Sequence, residues 1–336
     1  MLRCLERSMK FLLQNHSSYA RNGDRPGLQR PQWAYAPPER ADNEPTEVGT
    51  VERSVIDEII HEQEQTGIDI ITDGQVGWHD PISHFMGALE GVRINGLQRY
   101  FDTQFYFRQP VITAALRRRN PLVCGDFVKA RHASRLRVKP VLPGPYTLAR
   151  LCMIESGPYA TVTALAVALS EIVAAEVSDL AREGAQIIQL EEPAILSRPT
   201  DIRLLRHLLE PAWDARGSAE LMVATYFGDA EPLYAQLNSL PADVLALDFT
   251  CSPKLAEAIA STGSSKVLAL GLIDGRNTRL EDPHAVASQI ETILKQYVLD
   301  TAHLLPSCGL GHLPRNVARA KLELLARTRQ QLHVFS

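Results

Sequence analysis

The 336-residue chain is 45% apolar and 22% charged, with a formal net charge of −4, which is the balance of a folded globular protein rather than a disordered one. That charge offers no basic field for nucleic acid or an anionic membrane, and no apolar run nears the roughly 20 residues that a membrane-spanning helix needs. The five cysteines, Cys4, Cys124, Cys152, Cys251 and Cys308, are far apart and contain no Cys-x-x-Cys. They read as reduced thiols rather than a disulfide framework or a zinc ribbon. The charged start from Met1 to Lys10 lacks the apolar core of a signal peptide, so a cytoplasmic protein with small-molecule substrates is expected.

Phe11 to His16 is predicted as a first strand ending in His16-Ser17-Ser18. From Gly23 to Pro45, Pro, Arg, Asn and Glu dominate and describe a long irregular connection. Val51, Val55, Ile56, Ile59 and Ile60 then recur at helical spacing up to Gln65. Ile68 to Thr72 is a strand that delivers Asp73-Gly74-Gln75, and His79 and Asp80 are candidates either to line the mouth or to cap a helix starting at Pro81, capping being the stronger reading for Asp80. Residues 91–110 break the rhythm. Val92, Ile94 and Leu97 flank Asn95-Gly96, a strong hairpin signal, and Tyr100 to Phe107 follows as an aromatic strand. This stretch reads as an inserted arm able to cover a site, to form a homodimer contact or to meet a donor protein, its aromatics serving mainly to pack.

Arg137 to Leu142 is a strand stopped by Pro143-Gly144-Pro145-Tyr146-Thr147, and Tyr159 to Glu183 is a long helix. The run Ile187-Ile188-Gln189-Leu190 has the composition of a parallel strand buried on both faces, and it leads straight into Glu191-Glu192-Pro193-Ala194. Adjacent glutamates are more often surface groups or helix caps. Further strands end at Thr225-Tyr226-Phe227-Gly228-Asp229, at Asp248 with Cys251 close by, at Asp274-Gly275-Arg276-Asn277 and at Ser307-Cys308-Gly309, with His312 nearby. Helices lie between them. Eight strand–helix alternations with the polar clusters all at the same strand ends predict an α/β fold, a (β/α)8 TIM barrel with a β-hairpin arm inserted after strand 2, spanning residues 1–336 as one domain. In such barrels the carboxyl-end face carries the site. Arg276 is there a candidate clamp for an anionic group, Asp229 a helix cap, His312 a candidate acid or base, and Tyr226 with Phe227 a wall for a flat molecule.

The Ile187–Ala194 stretch, the Pro143–Thr147 turn, Gly271-Leu272-Ile273-Asp274-Gly275-Arg276-Asn277 and Pro306-Ser307-Cys308-Gly309-Leu310 resemble, in order, the cobalamin-independent methionine synthases and their single-barrel relatives. The resemblance runs from about Ile68 to Leu332. It implies methyl transfer from a methyl-folate or methyl-corrinoid donor to a small thiol such as homocysteine, and a zinc ion that holds the acceptor as the nucleophilic thiolate. It also implies roles for particular residues. Glu191 would anchor the acceptor with Asp73 and Arg276 as catalytic partners, while Ser17, Ser18, Gln75, Glu192, Tyr226 and Asp274 would line the substrate site. Cys308 and Asp248 match family zinc ligands, with Cys251 as a replacement thiolate and His16 or a water as the fourth ligand.

The sequence departs from the family pattern at three points. No His-x-Cys is present; its place is taken by Thr225-Tyr226-Phe227, which resembles the non-catalytic amino-terminal half of the two-barrel enzymes. Gln75 stands where the family has an acid that helps hold the acceptor's amino group, and Glu191 stands where it has Asp. Two other readings therefore remain open: a metal-free decarboxylase or lyase in which Glu191, Asp73 and Arg276 converge on a carboxylated substrate, and a barrel that binds a thiol or pteridine without turnover.

Overall fold

The computed structural model describes residues 9–20, 48–295, 297 and 299–332. The expected irregular connection from Gly23 to Pro45, Cys4 and most of the charged start lie outside the described residues. Twelve strands are present among those described: β1 (Lys10–Leu13), β2 (Ile70–Ile71), β3 (Glu90–Arg99), β4 (Tyr106–Arg117), β5 (Arg137–Val138), β6 (Val141–Pro143), β7 (Met153–Ile154), β8 (Ile187–Glu191), β9 (Glu220–Thr225), β10 (Val244–Asp248), β11 (Val267–Ile273) and β12 (Thr301–Pro306).

A parallel sheet runs in the order β1-β12-β11-β10-β9-β8-β6, and β2 pairs with β5. Two sets of hydrogen bonds join these pieces into a ring. Asn15 N donates to Ile70 O at 3.1 Å and Asp69 N to Leu13 O at 2.8 Å, linking the first two strands. On the other side, β5 and β6 are one stave interrupted at Lys139-Pro140, where Lys139 N reaches Ile71 O (2.8 Å) and Gln189 N reaches Pro140 O (3.0 Å). Pro140 has no N–H to give, so the ladder breaks there. Eight parallel staves result, the predicted barrel.

Alternation along each strand sorts the side chains. Ile187, Met222, Ala224, Val244, Ala246, Ala269 and Leu305 form a compact apolar cluster inside the ring. Ile188 and Leu190 face the other way, into the layer between strands and helices. Gln189 and Glu191 share the inward face with Ile187, so the sequence of β8 itself carries polarity up the barrel axis to its carboxyl end. The helix Val162–Arg182 buries Leu165, Leu169, Val173, Val177 and Leu180 against the sheet, and its start is capped by Thr161, whose hydroxyl accepts from Ala164 N. No helix among the described residues is long and apolar enough to cross a membrane.

The inserted arm exists, but its turn is not where Asn95-Gly96 suggests. β3 runs on through that pair as a bulge between Ile94 and Leu97, and pairs antiparallel with β4 until Arg99 meets Tyr106. The reversal falls at Phe101 to Gln104, closed by Tyr100 N donating to Phe105 O at 2.7 Å, with Phe101 in the left-handed region (φ 53°). Pairing beyond the bulge outweighs the local turn preference. The arm also extends past residue 110, because β4 continues to Arg117 and adds β7 on its other edge.

Candidate functional site

A cavity of about 530 Å³ opens at the carboxyl end of the barrel. Of the sequence-predicted residues, Glu191, Ser17, Ser18, Gln75, Tyr226 and Cys308 line it. The arm supplies Tyr100, Phe105, Tyr106 and Phe107, which join Trp78, Phe227 and His312 to make a largely aromatic wall. Phe105 stacks on the His312 ring with centroids 3.6 Å apart and planes 8° from parallel, tying the arm tip to the loop after β12. His79 and Asp80 also reach the lining, and Asp80 caps the helix Pro81–Gly87 by accepting from Ser83 N at 2.6 Å.

Glu191 is 3% exposed and both its oxygens are engaged. Tyr226 Oη donates to Oε2 at 2.9 Å and Gln189 Nε2 to Oε1 at 3.4 Å. His16 Nδ1 lies 3.4 Å from Oε1, and Tyr100 Oη is 3.1 Å from Tyr226 Oη. Burial foremost, and then the Glu191 charge, push both tyrosines well above their ordinary range, so they act as donors and not as bases. Burial also lowers His16, more than Glu191 raises it, which leaves a neutral imidazole beside the carboxylate.

The serine loop is fixed from beneath. Thr72 Oγ1 donates to Ser17 O at 2.5 Å, Asn15 Nδ2 bridges Gln63 Oε1 and Thr72 Oγ1 at 3.0 Å each, and Leu310 N donates to Ser18 O at 2.9 Å. Gly309 allows that approach: a Cβ there would lie 2.3 Å from Ser18 Oγ and 2.8 Å from Ser17 Oγ. Gln75 (φ 52°) and Phe227 (φ 64°) hold left-handed backbone at the cavity, a strained conformation for side chains of this size and one that clusters at binding sites. Phe227 N is pinned there by Asp248 Oδ2 at 3.3 Å.

Six other expected residues do not line the cavity, each for a visible reason. Glu192 is fully buried and accepts from Tyr146 N (3.0 Å) and Thr147 N (2.7 Å) at the start of the helix Pro145–Leu151, so it clasps the Pro143–Thr147 turn. Asp73 accepts from Gln75 N at 3.2 Å and shapes its own turn. Asp274 and Arg276 bind each other, Arg276 Nε donating to Asp274 Oδ1 at 2.9 Å. Burial acts to raise Asp274, yet Arg276 brings it below the usual carboxylate range. The guanidinium also reaches Cys251 Sγ at 3.0 Å and Thr250 Oγ1 at 3.1 Å. Asp248 accepts from Thr250 N (2.8 Å), Thr250 Oγ1 (2.5 Å) and Cys251 N (3.3 Å) besides Phe227.

These bonds decide the fit of zinc. Among the described residues no group of three His, Cys, Asp or Glu side chains is arranged to hold a metal ion. Asp248 spends both oxygens on N–H and O–H donors, and the Arg276 guanidinium already faces Cys251. The donor set of Asp248, Cys251 and Cys308, as placed, does not fit the ion. Protein purified without chelators or a histidine tag is accordingly expected to carry well under one zinc per chain by elemental analysis. A near-stoichiometric content lost in Cys308→Ser would show instead that these loops rearrange around a metal.

Residues 87–298 match the family described as cobalamin-independent synthase, N-terminal domain. The chain belongs to this family. Within it, the chain is similar to the methionine synthase of Saccharolobus solfataricus, at 27% identity over 267 residues and 79% of each chain. It is likewise similar to that of Thermococcus kodakarensis, at 28% over 276 residues, 79% of this chain and 78% of the other. Its fold matches a B12-independent methionine synthase from Shewanella sp. W3-18-1 in complex with selenomethionine, with TM-score 0.80, 21% identity and 95% and 96% of the two chains covered. A methyltransferase from Methanosarcina mazei shares the fold at TM-score 0.60 and 12% identity, covering 85% and 88%. The amino-terminal domain match agrees with the resemblance of Thr225-Tyr226-Phe227 to that half of the two-barrel enzymes.

Proposed function

We propose that this protein is an S-methyltransferase that moves a methyl group from methyl-folate or a methyl-corrinoid to the thiol of homocysteine. The observation that carries the reading is the Glu191 carboxylate at the cavity floor, oriented by Tyr226 and Gln189 and reachable from a pocket that also holds the Ser17 and Ser18 loop. A carboxylate suits the acceptor's ammonium and serine hydroxyls suit its carboxylate, which fixes an amino-acid thiol by both polar ends. The aromatic wall of Tyr100, Phe105, Phe107 and Phe227 suits a flat donor ring above it. The S–CH₃ bond forms as the donor's N–CH₃ bond breaks, and the thiol proton ends on that nitrogen; with a corrinoid donor the Co–CH₃ bond would break with its electron pair left on the spent corrinoid, and the thiol proton would pass to solvent. The relatives named methionine synthase support this reading, and a cytoplasmic location goes with it.

A barrel that binds acceptor and pteridine without turnover is favoured by one observation, the misfit of the zinc donor set. The lyase reading loses its support, because Asp73 and Arg276 lie away from Glu191's cavity. Incubation with homocysteine and either ¹³C-methyl-tetrahydrofolate or methylcobalamin, followed by detection of labelled methionine, tests the proposal. Labelled product in more than one turnover is expected. Saturable homocysteine binding with no product from either donor would leave the binding barrel as the correct description.

A further inference from the structure

The barrel interior contains a cation that the acceptor site does not touch. Lys139, fully buried at the break between β5 and β6, donates from Nζ to Gln189 Oε1 at 2.5 Å and lies 3.9 Å from Met222 Sδ. With its oxygen engaged, the Gln189 amide has its NH₂ directed at Glu191 Oε1. Turned by half a rotation, the same amide would set oxygen against oxygen at Glu191. A protonated lysine only donates, so it excludes that arrangement.

We propose that Lys139 is a positioning residue that, by fixing the Gln189 amide, holds the Glu191 carboxylate turned toward the acceptor. This rests on the reading of Glu191 as the acceptor anchor. The groups facing Lys139 are Gln189 and Glu191 from β8, Met222 from β9, His303 from β12 and His16 from the loop after β1. Glu191 is faced by His16, Gln189 and Tyr226, with Tyr100 behind the last. Asp248 acts on His16, and Arg137 and Lys10 act on His303. Burial draws Lys139 down to about 7, with Glu191 opposing. Burial also lowers His16, and takes His303 to about 3, so neither imidazole gains a proton near neutrality. Glu192, raised to about 7 by burial, titrates in the same window but is bonded to Tyr146 and Thr147. As pH rises through about 7 the Lys139 charge is lost, and its hold on the relay weakens.

The test uses Lys139→Met, which keeps the length and volume of the side chain; exchanging a buried charge for an apolar group of like size is commonly tolerated. The first readout needs no substrate. Crystal structures of the ligand-free wild type and variant are expected to show the Gln189 side chain moved from its position and the Glu191 carboxylate displaced from Tyr226, whereas unchanged placement overturns the proposal. The second is calorimetric titration with homocysteine between pH 6 and 8.5. Wild-type affinity is expected to fall about tenfold across that range, and the variant to bind about tenfold more weakly at pH 6 with a flatter profile. An identical affinity and profile would also overturn it. A wild type that does not bind homocysteine, while Glu191 moves in the variant, counts against the acceptor reading and supports the positioning role. Should Lys139→Met fail to fold, Gln189→Leu cuts the same link, and the same displacement of Glu191 is expected.

Discussion

Replacing Glu191 by Gln is expected to lower kcat/KM for the acceptor by about 10²- to 10³-fold, with little change in melting temperature. The substitution keeps the shape of the side chain and removes only its charge. An ammonium held against this buried carboxylate then loses its ionic partner, a loss on the order of 2–4 kcal/mol, and each 1.4 kcal/mol is a factor of about ten. The neighbours sharpen the effect. Gln189 Nε2 and Tyr226 Oη both donate to the carboxylate, and an amide can accept well from only one of them, so the other donor is left facing an NH₂. Steady-state kinetics with varied homocysteine, together with thermal unfolding of both proteins, checks this. Unchanged kcat/KM in a folded variant would remove Glu191 from the acceptor site.

The largest expected effect on stability lies at Gly144. A Cβ there would sit 2.3 Å from Glu192 Cδ and Oε1 and 2.5 Å from its Cγ. The glycine's φ of −77° is open to any residue, so the constraint is contact and not backbone freedom. Glu192 cannot step aside without releasing the two N–H groups it accepts at the helix start. Overpacking and lost hydrogen bonds to a buried carboxylate together are expected to cost about 3 kcal/mol or more in Gly144→Ala, read as a shift of the chemical denaturation midpoint. Gly77, where an added Cβ would meet nothing within 4 Å, is the matched control, and its alanine variant is expected to stay within about 0.5 kcal/mol of wild type. Equal midpoints for the two variants would mean that the Glu192 clasp yields easily.

Much of this architecture is readable from the residues because barrel strands announce themselves. Ile187 to Leu190 is short, apolar but for Gln189 and followed at once by acids, and Val244 to Leu247 repeats the pattern before Asp248. What such patterns cannot convey is direction. Glu191 and Glu192 are neighbours in sequence, yet the alternation of the strand sends one to the cavity and the chain's next turn sends the other under the Pro143–Thr147 loop. Asp248, Asp274 and Arg276 also end strands at the correct face, but each finds a partner within its own or the adjacent loop before it can reach the pocket. Asn95-Gly96 misleads for a different reason, because the pairs Leu97–Arg108, Gln98–Phe107 and Arg99–Tyr106 carry the ladder past a favourable turn. Lys139 is invisible as a functional residue in the sequence, since its partner is 50 residues away. Gln189 is not: a lone amide in the middle of an otherwise apolar buried strand needs an explanation, and its two neighbours along the barrel axis supply it.

The depth of Glu191 beneath the arm sets a timetable for any two-substrate reaction in this cavity. Glu191 is 3% exposed, Phe105 and Phe227 are half-buried and Tyr106 is 46% exposed, so these three aromatic side chains lie nearer the entrance than the anchor, while Tyr100 and Phe107 are buried. A small acceptor would pass the half-buried aromatic side chains on which a flat donor would stack, and a seated donor would lie across its path. Binding would then be compulsory-ordered, acceptor first, and the methylated product would leave only after the spent donor. The stacked pair Phe105 and His312 makes the arm tip part of this turnstile, because the loop that it rests on also carries Cys308.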